Sequence, residues 1–125
     1  MKTAFIIIDV QNILVETGFE TEKLLEKIAY LQEQARKKQI EIIYIQHIET
    51  PEALTSEDWK LSPLLKRQEN EKVFQKRYNS MFKETGLKEY LDQQGIQQLV
   101  LCGMQTEYCV DTSVKVGFEY GYKLV

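Results

Sequence analysis

Two short runs of apolar residues set the strongest limit on the fold of this chain. The first, at residues 5–8, leads directly into Asp9, and the second, at residues 99–102, leads into Gly103. Continuous rather than alternating apolarity is typical of strands that are buried on both faces, as in a parallel sheet. Parallel strands need long crossover connections, so the chain must supply helices between them.

The spacing of apolar residues along the rest of the chain predicts those helices. It predicts strands at residues 4–10, 40–46, 72–74 and 96–102, the start of a fifth strand at 122–125, and helices at 21–38, 86–94 and 106–120. The stripe of the first helix includes Leu31, and that of the last includes Val110, Val114 and Phe118. We therefore predict one α/β domain over residues 1–125. It is a three-layer α/β/α sandwich around a mostly parallel, Rossmann-like sheet, truncated at its C-terminal strand.

Composition excludes several classes of function. The 125 residues are 43% hydrophobic with a net charge of −3, which is enough for one core and shows no basic stripe for nucleic acid. The apolar runs are too short to span a membrane, and Asp9 interrupts the only segment that resembles a signal peptide. We expect a cytoplasmic protein with free thiols at Cys102 and Cys109. One histidine and two cysteines do not make an ordinary zinc site without carboxylate ligands, and no metal is predicted.

Cys109 is the candidate nucleophile. It falls in the first turn of the last predicted helix, directly after a strand, where the helix dipole favours a thiolate. Asp9 and Lys76 follow two other strands, and a parallel sheet brings such ends to one edge. Each residue also has a plain structural interpretation, as an Asp turn, a solvated lysine and a buried structural cysteine.

The three side chains form a coherent catalytic group. Lys76 favours the Cys109 thiolate, and Asp9 takes the thiol proton and later passes it to a leaving group or activates a water. Cys109 then attacks a carbonyl carbon, and backbone N–H groups around Gln105 and Cys109 form the oxyanion hole.

Six further residues are candidates for the substrate pocket. They are Gln11, His47, Trp59, Tyr78, Phe82 and Tyr108. His47, the single histidine, is either a hydrogen-bonded pocket wall or a base, and Trp59 either covers a pocket or fills the core. Phe82 and Tyr108 are equally consistent with a place in the core.

The chain resembles the isochorismatase-like cysteine hydrolases, which include nicotinamidases and carbamoylsarcosine amidases. Residues 6–12, Ile-Ile-Ile-Asp-Val-Gln-Asn, are similar to the family's opening strand, and residues 103–110, Gly-Met-Gln-Thr-Glu-Tyr-Cys-Val, to its nucleophile motif. The family's K-x-x-x-S-x-F-x-x-T-x-L segment is matched by Lys76, Ser80, Phe82, Thr85 and Leu87. Residues 44–47 and 59–61 resemble a common variant of the second-strand region.

This resemblance implies that Asp9 is the base, Lys76 the supporting cation and Cys109 the nucleophile, with a cis peptide at Met104–Gln105. Nicotinamidases of the family bind a metal through an aspartate and two histidines after the second strand, whereas this chain has Gln-His-Ile-Glu at residues 46–49 and no other histidine. The resemblance therefore implies a metal-independent hydrolase without a cofactor. It would act on a small amide or carbamoyl compound through a Cys109 thioester. The alternatives are an isochorismatase-type enol-ether hydrolase, a non-catalytic α/β module that is incomplete without a partner, and a thiol redox protein.

Family members usually continue through another helix and a sixth strand. The resemblance thus implies that these C-terminal elements are missing here, and that the sequence is a fragment or relies on a partner subunit. Because the fourth strand would then have a poorly covered edge, we expect a homo-oligomer.

Overall fold

A parallel sheet of five strands forms the centre of the part of the chain that the structure describes. The structure is a computed structural model that describes residues 1–12, 15, 21–48, 50–104 and 110–125, with the backbone alone at residues 53 and 54. The strands are β1 (Thr3–Ile8), β2 (Glu41–His47), β3 (Lys72–Lys76), β4 (Gln98–Gly103) and β5 (Lys123–Leu124). Their order in the sheet is β3-β2-β1-β4-β5, and every neighbouring pair is parallel.

Helices cover both faces of this sheet. The described α-helices are α1 (Thr21–Lys37), α2 (Leu87–Gln93) and α3 (Asp111–Glu119), and short 3-10 helices occupy Pro51–Thr55, Glu57–Trp59 and Pro63–Leu65. The helix α1 packs on one face through Ile28 and Ala35. On the other face, α2 and α3 pack through Leu87, Leu91 and Val116. The predicted α/β class and three-layer arrangement are confirmed. None of the helices in the described ranges is long and apolar enough to cross a bilayer.

The central strand β1 is buried along nearly its whole length. It lies between β2 and β4, and Ile6 is the register partner of both Ile43 and Leu101. From Ala4 to Ile8 no residue is more than 3% exposed. The continuous apolar run is therefore explained by a strand with neighbours on both sides and helices on both faces.

The predicted inward stripe of α3 is wrong at Phe118. That side chain is 75% exposed, and the buried residues of α3 are Ser113 and Gly117. The Ser113 hydroxyl accepts a hydrogen bond from the Met81 N–H at 3.0 Å, and the Phe82 ring packs against Gly117. Small residues face inward because the segment after β3 lies directly against this helix.

The predicted stripe of α1 also differs at one position. Leu31 is 39% exposed, whereas Gln32 is buried. The Gln32 amide donates to the Tyr44 hydroxyl at 2.8 Å and to the Leu65 carbonyl at 2.9 Å. A polar side chain is tolerated there because both of its donors are satisfied.

The same tyrosine belongs to a buried ion-pair network that spacing did not predict. Glu71 accepts hydrogen bonds from Arg36 Nη2 at 2.9 Å, from the Tyr44 hydroxyl at 2.8 Å and from the Gln68 N–H at 2.9 Å. Burial raises the pKa of Tyr44, and the hydrogen bond to Glu71 adds to that effect. The network fastens the end of α1 to the segment that enters β3.

The edge of β4 is partly paired by β5. Gln98 and Leu99 are register partners of Lys123 and Leu124, and the Leu101 N–H donates to the Val125 carbonyl at 3.2 Å. The first half of β4 therefore has neighbours on both sides.

Candidate active site

The carboxyl ends of β1, β2 and β3 bring three polar residues together at one edge of the sheet. Asp9 follows β1, whereas His47 ends β2 and Lys76 ends β3 as its register partner. The Asp9 N–H donates to the Ile45 carbonyl at 2.9 Å, which ties the end of β1 to β2. Because β2 lies between β1 and β3, the side chains of Asp9 and Lys76 meet across its end.

The Lys76 ammonium is buried, and three polar atoms of the described residues lie close to it. Its Nζ lies 3.2 Å from Asp9 Oδ2, 3.0 Å from the Tyr78 carbonyl oxygen and 3.3 Å from His47 Nδ1. An ammonium has three N–H donors and no acceptor, and burial of its charge is tolerated only where those donors are paired. Lys76 is 1% exposed, so this edge of the sheet carries a fixed, desolvated positive charge.

The Asp9 carboxylate is buried with one oxygen paired and the other available. Asp9 is 1% exposed, and Oδ2 contacts Lys76. No residue in the described ranges donates a hydrogen bond to Oδ1. The backbone of Asp9 has a φ of 59°, in the left-handed region that a residue with a side chain rarely adopts. Such strain is concentrated at functional sites, and a buried oxygen without a donor there is suited to accept a proton.

The end of β4 is held against the end of β1, next to Asp9. Gly103 has a φ of 151°, and the next residue, Met104, donates its N–H to the Ile8 carbonyl at 3.0 Å. That carbonyl immediately precedes Asp9. Three predicted site residues, Gln105, Tyr108 and Cys109, follow and lie outside the described residues, as does the predicted cis peptide at Met104–Gln105.

Gln11 holds the backbone around His47 and Trp59. Its side chain is completely buried; Oε1 accepts from the His47 N–H at 2.8 Å, and Nε2 donates to the His47 carbonyl at 3.0 Å and to the Trp59 carbonyl at 2.5 Å. The imidazole of His47 lies 5.9 Å from the indole of Trp59, at an angle of 51°. The Gln11 amide is therefore engaged with the backbone of both residues, and the imidazole of His47 also contacts Lys76.

The remaining two pocket candidates have different environments. Tyr78 is 39% exposed, and the ammonium of Lys83 lies 4.0 Å from the centre of its ring. Both residues line a cleft of about 290 Å³ together with Arg77. Phe82 lies in the core, where its ring is 5.2 Å from that of Tyr120 in an edge-to-face arrangement.

The segment between β3 and α2 is held by its own hydroxyl groups. Ser80 Oγ accepts from the Phe82 N–H at 3.1 Å, and Thr85 Oγ1 donates to the Met81 carbonyl at 2.6 Å and accepts from the Leu87 N–H at 3.2 Å. The regular spacing of these residues after Lys76 thus reflects a turn that connects the site to the core.

Cys102 differs from a reactive thiol in its environment. It lies on β4 as the register partner of Ile7, and burial raises the pKa of its thiol to about 12. A thiol with that pKa stays protonated near neutral pH and is a poor nucleophile. Cys102 is therefore a poor candidate for the resolving partner that the redox alternative needs.

Spacing missed the contact between His47 and Lys76 and the role of Gln11. His47 was a candidate pocket wall or base, and Gln11 a candidate ligand for substrate. The signal that was available is the position of His47 and Lys76 at the ends of two strands that are neighbours in the sheet. To predict that the two side chains are in contact, the register of β2 against β3 must also be known.

Known proteins resemble the chain along almost its whole length. The profile of the isochorismatase domain matches residues 3–125. The uncharacterised isochorismatase family protein YrdC of Bacillus subtilis is 30% identical over 97% of this chain and 68% of its own length. Streptothricin hydrolase of Streptomyces noursei is 27% identical over 98% of this chain and 46% of its own length. A crystal structure of an isochorismatase family protein superimposes with a TM-score of 0.92 at 29% identity, over 98% of this chain and 75% of that one.

Proposed function

This chain belongs to the isochorismatase family of hydrolases, and from that premise we propose that it is a metal-independent cysteine hydrolase. The proposed reaction cleaves the C–N bond of a small amide or carbamoyl compound. Asp9, Lys76 and Cys109 are the proposed catalytic triad, and the backbone N–H groups of Gln105 and Cys109 are the proposed oxyanion hole.

The observation that carries the proposal is the buried ion pair between Lys76 and Asp9. Its two side chains lie at most 2% exposed, with 3.2 Å between Nζ and Oδ2. A buried ion pair adds little to stability compared with apolar residues of the same size, so its presence at a sheet edge needs another explanation. A base beside a fixed cation is the arrangement that generates and stabilises a thiolate.

The proposed reaction follows from these charges. Asp9 accepts the thiol proton of Cys109, and the thiolate attacks the carbonyl carbon to form a C–S bond. The tetrahedral intermediate collapses when Asp9 returns the proton to the amine nitrogen, so that the C–N bond breaks and a thioester remains. A water then gives its proton to Asp9 while its oxygen attacks the thioester. The acid leaves as the proton returns to sulfur, and the Lys76 ammonium stabilises the sulfur anion in both halves.

Metal independence is supported by the chemistry of the donors on this chain. His47 is its single histidine, and the Nδ1 atom of that ring lies 3.3 Å from the Lys76 ammonium. A nitrogen that faces a cation at that distance is a poor ligand for a second cation. We therefore expect turnover to be unaffected by EDTA.

The first test is the rate at which iodoacetamide alkylates Cys109 as a function of pH, measured by peptide mass spectrometry. The proposal predicts an apparent thiol pKa below the ordinary value of about 8.5, and a higher value in Lys76→Met. Lys88→Met is the matched control, because Lys88 pairs with Asp92 on the surface of α2. An ordinary pKa in the wild type that does not respond to Lys76→Met would refute the triad.

The second test is ammonia or amine release from a panel of primary amides and N-carbamoyl amino acids. Cys109→Ala should reduce turnover to background, since no covalent intermediate then forms. Enol-ether hydrolysis that survives Cys109→Ala would instead support the isochorismatase-type alternative. Stabilisation by a bound ligand without turnover would support the non-catalytic module.

A further inference from the structure

We infer that His47 is a positioning residue whose neutral imidazole holds the Lys76 ammonium against Asp9. The inference concerns the same site and rests on the proposed function for the importance of Lys76. It assigns to His47 a task that is distinct from contact with substrate or proton transfer to it.

The contact itself fixes the state of the ring. His47 Nδ1 lies 3.3 Å from Lys76 Nζ, and an ammonium can only donate. Nδ1 must therefore accept through its lone pair, which assigns the hydrogen of the neutral ring to Nε2. Asp9 Oδ2 and the Tyr78 carbonyl oxygen are two further acceptors for the same ammonium among the described residues.

The surroundings of His47 restrict where that lone pair points. Gln11 bonds both the N–H and the carbonyl of His47, so the backbone is held from two sides. The same amide holds the Trp59 carbonyl, which also accepts from Gln46 Nε2 at 3.0 Å. Since the Trp59 ring packs beside the imidazole, the side chain of His47 is confined as well as its backbone. A residue held at this many points is suited to set the position of another.

Loss of the His47 Nδ1 acceptor should alter the reactivity of Cys109 without removing the charge of Lys76. The buried ammonium would lose this contact, and Nζ would be drawn toward its other acceptors, Asp9 Oδ2 and the Tyr78 carbonyl oxygen among them. The distance from Lys76 Nζ to the proposed Cys109 thiolate would then change. Because Coulomb interactions in a desolvated site are strong, a small displacement is expected to change thiolate reactivity measurably.

Nitrogen NMR on the wild-type protein tests the ring state directly. As the chain has one histidine, its imidazole signals need no assignment by mutation. We expect Nδ1 to show the shift of an unprotonated nitrogen and Nε2 that of a protonated one at pH 8. In Lys76→Met the preference for this tautomer should weaken. A ring with its hydrogen on Nδ1 in the wild type would overturn the inference.

Two variants test the effect on the thiol. His47→Asn keeps an acceptor near the position of Nδ1, whereas His47→Leu fills similar space without one. We expect iodoacetamide to alkylate Cys109 about tenfold faster in His47→Asn than in His47→Leu at pH 7, which corresponds to one lost hydrogen bond. Equal rates in the two variants would overturn the inference.

The outcomes separate this inference from the proposed function. If Lys76→Met leaves alkylation unchanged, the triad fails, while the tautomer still reports whether His47 serves Lys76. If Lys76→Met slows alkylation but the tautomer is wrong, the triad stands and His47 is not its positioning residue. Should His47→Leu fail to fold, the wild-type tautomer decides the question alone.

Discussion

Gly103 approaches the backbone of Ile8 so closely that a β-carbon at position 103 would lie 2.1 Å from the Ile8 carbonyl oxygen. The same carbonyl accepts the Met104 N–H, and Asp9 is the next residue along the chain. This contact therefore fixes the point at which the chain leaves β4 relative to the Asp9 carboxylate.

Gly103→Ala should destabilise the protein strongly, because neither backbone can retreat within the sheet. We expect a loss of more than about 2 kcal/mol in the free energy of unfolding, measured in urea. Gly95→Ala is the control, since Gly95 also has a positive φ, of 70°, but no atom within 4 Å of the added carbon. That variant should lose only about 1 kcal/mol. Equal losses would show that the contact with Ile8 is unimportant.

Asp9 and Lys76 should be strongly coupled in stability. Asp9→Asn and Lys76→Met each break a pair that is at most 2% exposed, and each should cost about 3–5 kcal/mol. The double variant should cost less than the sum, with a coupling energy of at least about 1 kcal/mol, because it leaves no unpaired charge. Urea unfolding of the four proteins gives this cycle. Additive losses would contradict a direct interaction.

Glu71 should make stability depend on pH. Burial alone would raise the pKa of its carboxyl, but hydrogen bonds from Arg36, the Gln68 N–H and Tyr44 outweigh burial and hold the pKa below 4.5. A carboxyl with a lowered folded-state pKa stabilises the protein above its unfolded value, and that contribution is lost as pH falls through the folded value. Glu71→Gln should therefore cost about 2 kcal/mol at pH 7 and progressively less below pH 4.5.

The matched control for this effect is Glu33→Gln. Glu33 pairs with Lys37 at 3.1 Å, but both side chains are 63% exposed. Its loss should stay within about 0.5 kcal/mol. A Glu71→Gln difference that does not change with pH would contradict the network.

Alanine substitution should destabilise the protein much more at Phe82 than at Phe118. Phe82 is 7% exposed in the core, whereas Phe118 is 75% exposed on α3. Phe82→Ala should cost about 3–5 kcal/mol, and Phe118→Ala less than about 0.5 kcal/mol. Thermal unfolding of both variants checks the orientation of α3. A larger loss at Phe118 would restore the inward stripe that spacing predicts.

The parts of the fold that spacing predicted are those governed by local burial. The run at residues 5–8 indicated a strand covered on both faces, and apolar spacing predicted the helix at residues 86–94, whose Leu87 and Leu91 are buried. The buried face of α3 could not be predicted, because small residues face inward where another segment of the chain approaches the helix. Ser113 and Gly117 are buried by their contacts with Met81 and Phe82, which lie more than thirty residues earlier in the chain.

The candidate site also has features that the sequence was enough to predict and features that it was not. The placement of Asp9 and Lys76 after two strands of a parallel sheet was enough to predict that they share an edge. The contact between His47 and Lys76 depends on the register of β2 against β3, and the role of Gln11 depends on where the Trp59 carbonyl lies. Both are set by tertiary structure and leave no periodic pattern in the sequence.

The strand order determines when the ion pair between Asp9 and Lys76 can form. Asp9 and Lys76 belong to segments on either side of β2, so neither the β1–β2 pair nor the β2–β3 pair contains the complete ion pair. The ion pair therefore forms only after β1, β2 and β3, which come from separate parts of the chain, have assembled. In the proposed mechanism, the Cys109 thiol would therefore be activated only once these strands have assembled, and during synthesis and refolding it would react like the thiol of an unfolded peptide.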